Sequence, residues 1–428
     1  MKRRKRTQWL RLDNAAKIFP ATSGKRDTKV FRIACQLTEP VNETILNEAL
    51  EDTVNEFPVF RSVIRKGLFW YYFETTERRM SAHIENMQPC SPLYDANKRS
   101  ILFDVSYYGK RINLEVHHAL TDGVGAKMFF TTLICHYLKR AHREEFEGVG
   151  LESEFDSSID ERLDDSFSRY YDNKEKESQE ENKKKRLKRA YRLHGPSLSE
   201  NRIKVIEGHI PVHEVKRLAK EYHTSVTVYL TALVISAIGE TMTVREKRKP
   251  VGIMVPVNLR SFFKSNSVRN FFATINVVYD FSQNSGEFED IIQTVELSFK
   301  EELTQENMKR KVIRHGALEN NIFARFVPLV IKDFFIKKVH DMSDRQYTFS
   351  MSNIGIFTVP KELEKYIELF SVFVSTKKKQ ACICSYQDQL VIGFTSPLIG
   401  TEVERNFFRK LTEHGVDIEI AATSGWEE

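Results

Sequence analysis

Histidine, aspartate and glycine at fixed spacing can carry acid–base chemistry, and one stretch of this chain supplies all three. Leu114–Gly125 reads LEVHHALTDGVG and contains His117-His118-Ala119-Leu120-Thr121-Asp122-Gly123, an HHxxxDG pattern. An imidazole titrates near neutrality, so it can take a proton from an attacking hydroxyl or amine. Neighbouring side chains on a strand point to opposite faces, so only one of His117 and His118 can face a given pocket. Asp122 can fix backbone or pair with a cation, because a buried charge needs a partner. Gly123 permits a tight turn or a close backbone approach.

Regular elements must hold these residues. Arg111–Val116 alternates, with Ile112, Leu114 and Val116 on one face, which predicts a half-buried strand. Ile101–Tyr108 precedes it across Gly109-Lys110, a hairpin pattern. After the motif, Val124, Met128, Phe129, Leu133, Tyr137 and Leu138 recur at helical spacing, to about Arg143. The motif therefore falls at a strand-to-helix junction, where a side chain can be held at the mouth of a cleft. Upstream, Leu10–Pro20 offers a cap in Leu-Asp-Asn, and Val30–Leu37 alternates as a strand. Val41–Asn55 is an amphipathic helix ended by Pro58, followed by strands at Val59–Ile64 and Leu68–Phe73.

Glu144 to about Arg192 has few aliphatic residues, and an acidic section gives way to a lysine-rich one, the pattern of a solvated linker. Its Lys183–Arg189 run imitates a nucleic-acid patch, but no reader motif accompanies it. Beyond it come a strand near Ile203, a helix at Val212–Tyr222 and a buried helix at Val226–Gly239 capped from His223-Thr224-Ser225. Apolar strands follow at Val251–Leu259 and Phe271–Phe281, then one long helix at Phe288–Met308. Ile322–Val339 is aromatic and basic; it could skim a membrane, and a core-facing helix with a solvated lysine face is the simpler expectation. Lys377–Tyr386 and Gln389–Thr395 form a hairpin, and Glu402–His414 a closing helix.

With 428 residues the chain can bury a large core in roughly two or three domains. A 41% apolar and 11% aromatic content excludes a disordered chain. The charge of +6 is modest, and the Met1–Arg6 arm carries much of it; a solvated terminus explains it more simply than a phosphate or membrane contact. Gln8–Gly24 is broken by Arg11, Asp13 and Lys17, so no signal segment is expected. Val226–Ile238 is too short to span a bilayer. Five cysteines are sparse and odd in number, and Cys382 and Cys384 share a strand face rather than forming a metal knuckle. A reduced, cytoplasmic setting is expected, with no metal site.

HHALTDG resembles the signature of the chloramphenicol-acetyltransferase-like, coenzyme-A-dependent acyltransferases, which include condensation domains, wax ester synthases and bacterial alcohol acetyltransferases. Weaker segments agree in order. The Leu10–Pro20 opening is similar to that of alcohol-acetyltransferase-like proteins, and a helix, FPVFRSVI and an aromatic strand resemble the start of condensation domains. VGIMVPVNL before Arg260, FFATINVVYDF, and Ser352-Asn353-Ile354-Gly355 resemble the second half of that superfamily. Wax ester synthases carry an Asn-Asp pair where this chain has Val226-Thr227, which weakens a wax ester role.

The resemblance implies an α/β (α+β) fold of two chloramphenicol-acetyltransferase-like subdomains, each a mixed β-sheet with flanking helices, and a channel between them. Residues 1–143 would form the first, 144–202 a charged linker and 203–428 the second. It implies acyl transfer from a thioester to an alcohol, with His118 as general base. Asp122 would pair with an arginine, for which Arg260 is the candidate by order; His117 and Gly123 would be supporting. Thr274, Ser352 and Asn353 are the candidates for the oxyanion or the channel. No tightly bound cofactor is implied; acyl-coenzyme A or an acyl-phosphopantetheine is the co-substrate. Partners would be the thioester, an alcohol or amine acceptor and at most a carrier protein, with no nucleic acid and at most peripheral membrane contact. Two alternatives stand beside this: a free-standing condensation enzyme, disfavoured as a synthetase module because no carrier or adenylation domain adjoins, and a non-catalytic binding or scaffold protein.

Overall fold

The computed structural model describes residues 9–147, 158–171, 189–199, 202–319 and 326–423. The Met1–Arg6 arm, most of the charged stretch and its Lys183–Lys188 run lie outside them. Three sheets organise the rest. One has five strands in the order Ile367–Val374, Val30–Leu37, Arg111–His117, Phe103–Tyr108 and His83–Ile84, antiparallel except for the last pair. Its register sets Val30 opposite His117, so the motif leaves the sheet beside the start of the second strand.

The larger sheet has seven strands: Phe272–Tyr279, Val251–Asn258, Phe349–Ile356, Gln380–Tyr386, Gln389–Ser396, Lys204–Pro211 and Glu419–Ala422. Phe349–Ile356 runs parallel to both neighbours, and the other pairings are antiparallel. A small antiparallel sheet joins Trp9–Arg11, Tyr71–Thr75 and Ser62–Lys66. The strand placed at Val59–Ile64 thus starts later, because Pro58–Arg61 takes one 3-10 turn first.

The simple division at residue 203 needs one correction. Strand Ile367–Val374 belongs by sequence to the second part, yet it pairs along Val30–Leu37 in the sheet of the first. Its Phe370 and Val372 enter the core of the first part, together with Cys382, Cys384 and Val391 from the second. The exchange depends on Gly393: a Cβ there would lie 2.5 Å from the Val372 carbonyl oxygen, so a side chain would push the two sheets apart.

Capping residues set the helices. Asn42 accepts from Ile45 N to start Glu43–Glu56, and Ser225 accepts from Val228 N to start Val226–Thr241. The latter is apolar all round and lies buried against the seven-stranded sheet and the outer helices, as such a helix must. Among the described residues no single helix is long and apolar enough to cross a membrane.

Two expected helices differ. Phe288–Met308 is broken into Phe288–Glu302 and Gln305–Glu319, because the Thr304 hydroxyl accepts from Asn307 N at 3.2 Å and caps a new helix. Of Ile322–Val339, residues 322–325 lie outside the described part, and Leu329 onward belongs to helix Leu329–Asp344, which Pro328 precedes. That helix does not face the core. Leu329 alone is buried, while Val330, Phe334, Phe335 and Val339 are exposed. Its polar side makes the attachment instead: Tyr71 donates to Asp333 at 2.7 Å and Lys332 lies 3.3 Å above the Trp70 ring.

Candidate active site

His118 follows the end of strand Arg111–His117, and its backbone N–H donates to the Lys29 carbonyl at 2.7 Å. Lys29 holds φ at +58°, a left-handed conformation that a non-glycine residue adopts only when its surroundings impose it. The Asp27 carboxylate imposes it here, accepting from Lys29 N at 3.2 Å and from Nζ at 2.6 Å. The imidazole is clamped between rings. Phe19 stacks on it at 5.0 Å between centroids and Phe31 tilts at 4.7 Å, while Phe272 approaches from the second half at 6.3 Å.

Burial among these rings, with Lys29 nearby, pulls the His118 pKa down to about 4, against the opposing pull of Asp122, Asp27 and Asn270. The ring is therefore neutral near neutral pH and has a lone pair to offer. Its Nδ1 is buried and without a hydrogen-bond partner, while the residue as a whole is half-buried.

His117 points the other way. Its Nδ1 accepts from Ala119 N at 3.3 Å, so Nε2 carries the proton and donates to the Ser23 hydroxyl at 2.9 Å. Burial, His118 and Lys29 drop it to about 3. Both nitrogens are used, and the residue is structural.

Asp122 has no oxygen to spare for proton transfer. Oδ1 accepts from Gly125 N at 2.9 Å and caps helix Gly123–Ala141. Oδ2 accepts from Arg260 Nη1 and from Phe271 N, each at 2.8 Å. Arg260 in turn donates to the Ser267 and Arg269 carbonyls at 2.9 and 2.6 Å. The pair is buried and ties the first half's helix to the second half's loop.

The motif glycine is the less demanding of two. A Cβ at Gly123 would meet only the mobile end of Ile354 at 2.6 Å. At Gly125 it would lie 2.1 Å from the Val268 carbonyl oxygen and 2.2 Å from Thr121 Oγ1, inside the same clamp. Thr121 also donates to that carbonyl.

Of the channel candidates, Thr274 is exposed on strand Phe272–Tyr279, two residues from Phe272 and hence on the face that looks toward His118. Ser352 is half-buried on Phe349–Ile356. Asn353 is bound into a bulge of that strand: Oδ1 accepts from Gly355 N at 2.9 Å, Nδ2 donates to Thr227 at 3.2 Å, and Gly355 takes φ +84°. Among the described residues no contact joins Ser352 or Asn353 to His118.

Sequence reasoning missed Asn270 and Asp13. Asn270 faces the imidazole and favours its charged form; its Oδ1 is buried and unpartnered, like His118 Nδ1. Its Nδ2 donates to Asp13 Oδ2 at 3.4 Å. Asp13 does cap its own turn, with Oδ1 accepting from Ala16 N at 2.7 Å, but complete burial raises its pKa to about 6, against the opposing pull of Arg269. The available signal was a polar residue set directly beside apolar ones, Leu12-Asp13 and Asn270-Phe271.

No family model matches this chain, and no curated protein does. Solved structures do. The F. sporotrichioides TRI101 structure complexed with coenzyme A and T-2 matches with a TM-score of 0.65 at 10% identity, over 96% of this chain and 99% of that one. Polyketide synthase associated protein 5 from Mycobacterium tuberculosis matches at 0.60 and 12% identity, over 94% and 96%. The first condensation domain of the calcium-dependent antibiotic synthetase, in complex with a substrate analogue, matches at 0.58 and 14%, over 95% and 96%. The chain therefore has the chloramphenicol-acetyltransferase-like fold of two sheet-rich halves that these acyltransferase and condensation structures share.

Proposed function

We propose that this protein is an acyltransferase that moves an acyl group from a coenzyme A thioester to an alcohol, with His118 as general base. The observation that carries the reading is an imidazole held neutral between aromatic rings where the two halves meet, half-buried as a residue. In that site the acceptor O–H donates to Nε2 while its oxygen attacks the thioester carbonyl. The C–O bond forms, the tetrahedral oxyanion collapses, the C–S bond breaks, and the imidazolium returns the proton to the departing thiolate.

Nε2 can act as acceptor only if Nδ1 keeps its proton. Asn270 Oδ1, held by Asp13, is the group positioned to receive that N–H. Thr274, exposed two residues from Phe272 on the same strand face, is the oxyanion donor in this reading. The Asp122–Arg260 pair holds the halves in register and takes no proton. The condensation-domain likeness keeps a carrier-bound thioester and an amine acceptor as the second reading.

The test is thiol release from acetyl-, medium-chain and long-chain acyl-coenzyme A, with and without panels of alcohols and amines. Release that requires an alcohol supports the reading. Release that requires an amine, or only a carrier-bound donor, moves it to the condensation class, and silence with every donor and acceptor contradicts it.

A further inference from the structure

Helix Leu329–Asp344 inverts the usual arrangement, in which a surface helix turns its apolar face to the core. Its polar residues face the protein. Asp333 accepts from Tyr71, Lys332 lies over the Trp70 ring and donates to the Phe69 carbonyl at 3.0 Å, and His340 Nε2 stands 3.5 Å from Lys29 Nζ. Its apolar residues face outward. Val330, Ile331, Phe334, Phe335, Val339 and Met342 recur at helical spacing, and their exposure runs from 47% at Ile331 to 68% at Val330. Among the described residues nothing covers them. Leu68, 72% exposed, extends the patch at the helix start, where its carbonyl accepts from Leu329 N at 2.9 Å. Single exposed apolar residues are ordinary, but a contiguous row of them marks a docking surface.

The charges on this face select the partner. Lys338 lies three residues after Phe335, four after Phe334 and four before Met342, which sets it within the apolar face. Lys337 is exposed beside it, as is Arg345 just past the helix, and Asp341 is the one exposed carboxylate of the helix. Asp333 and Asp344 are half-buried and accept from Tyr71 and Tyr347, each at 2.7 Å. Beyond the last turn, where Lys378 donates to the Asp344 carbonyl, Lys377 is exposed as well. A protein partner would have to bury Lys338 inside an apolar contact, and lysine is depleted from such interface cores. At a bilayer the phenylalanines can enter the acyl boundary while the lysine stems extend to the headgroups.

We propose that this face docks the protein on an anionic phospholipid surface, with the helix lying on the membrane rather than crossing it. The helix packs against Ile18–Thr22, whose Phe19 stacks on His118, so docking would bring the candidate site to the lipid boundary. An acceptor or acyl chain drawn from the bilayer is the consequence, and that part rests on the acyltransferase reading. The docking surface stands on its own residues.

The experiment is flotation of the full chain with vesicles of equal phosphatidylglycerol and phosphatidylcholine, and with phosphatidylcholine alone, with no thioester present. Wild type is compared with Phe334→Gln/Phe335→Gln and with Lys337→Gln/Lys338→Gln. Tyr108→Ser is the control, an exposed aromatic in the hairpin at the opposite end of strand Arg111–His117. All these side chains are exposed, and circular dichroism verifies each fold. Wild type and Tyr108→Ser are expected to bind the mixed vesicles alike, and each helix variant about ten-fold more weakly. Wild type should also lose about ten-fold on neutral vesicles. No flotation, flotation unchanged in the phenylalanine variant, or equal binding to neutral vesicles overturns the proposal. Sedimentation velocity without lipid adds one more arm, in which self-association lost in the phenylalanine variant assigns the face to a second copy and overturns it too. Turnover is not read, so failure of the acyltransferase reading would leave the flotation result unchanged.

Discussion

Asp122 Oδ2 and Arg260 Nη1 lie 2.8 Å apart across the seam between the two halves, and the same oxygen accepts from Phe271 N. A helix cap, an interdomain ion pair and a loop anchor therefore converge on one carboxylate.

Removing either partner strands a buried charge, so Asp122→Ala or Arg260→Ala should each cost about 3–5 kcal/mol. Thermal and urea unfolding check this. Asp122→Asn keeps the cap and should cost less. The double substitution should fall well short of the sum of the singles, and strict additivity would show that the two do not interact.

A base with a pKa of about 4 predicts a flat rate from neutral pH down to about 5, with a loss as His118 becomes protonated near 4. Asn270 favours the protonated ring, so Asn270→Ala should move that acid limb to still lower pH and reduce turnover about ten-fold or more. The pH profile of kcat/KM, taken with a melting curve for each variant, separates this from a folding defect. A profile that does not move would make Asn270 merely structural.

Gly125 should be the stricter glycine of the motif region. Gly125→Ala forces a methyl into the Val268 carbonyl and should cost about 1–3 kcal/mol, whereas Gly123→Ala meets only a flexible Ile354 terminus. Equal melting temperatures for the two variants would contradict this reading of the clamp.

Much of the frame was legible because its signals are local. The alternation in Arg111–Val116, the helical spacing after Val124 and the run at Val226–Gly239 each depend on near neighbours, and each element is present. Arg260 was reached through the order of segments, and the structure sets it against Asp122. What was not legible depends on distant partners. Strand Ile367–Val374 looks like any apolar strand, and nothing local says that it crosses to the first sheet. Phe334 and Phe335 read as core residues, whereas Asp333 and Lys332 make the helix's contacts. Asn270 and Asp13 sit 257 residues apart, and only the fold joins them and sets Asn270 against His118.

The measurement that bears most directly on the central claim is acceptor-dependent thiol release by wild type and His118→Ala, at equal concentration, with folding verified by circular dichroism. If His118 Nε2 takes the acceptor's proton, kcat should fall by about 10²–10⁴-fold while the melting temperature stays near or above that of wild type. A folded His118→Ala protein that releases thiol at the wild-type rate would contradict the account.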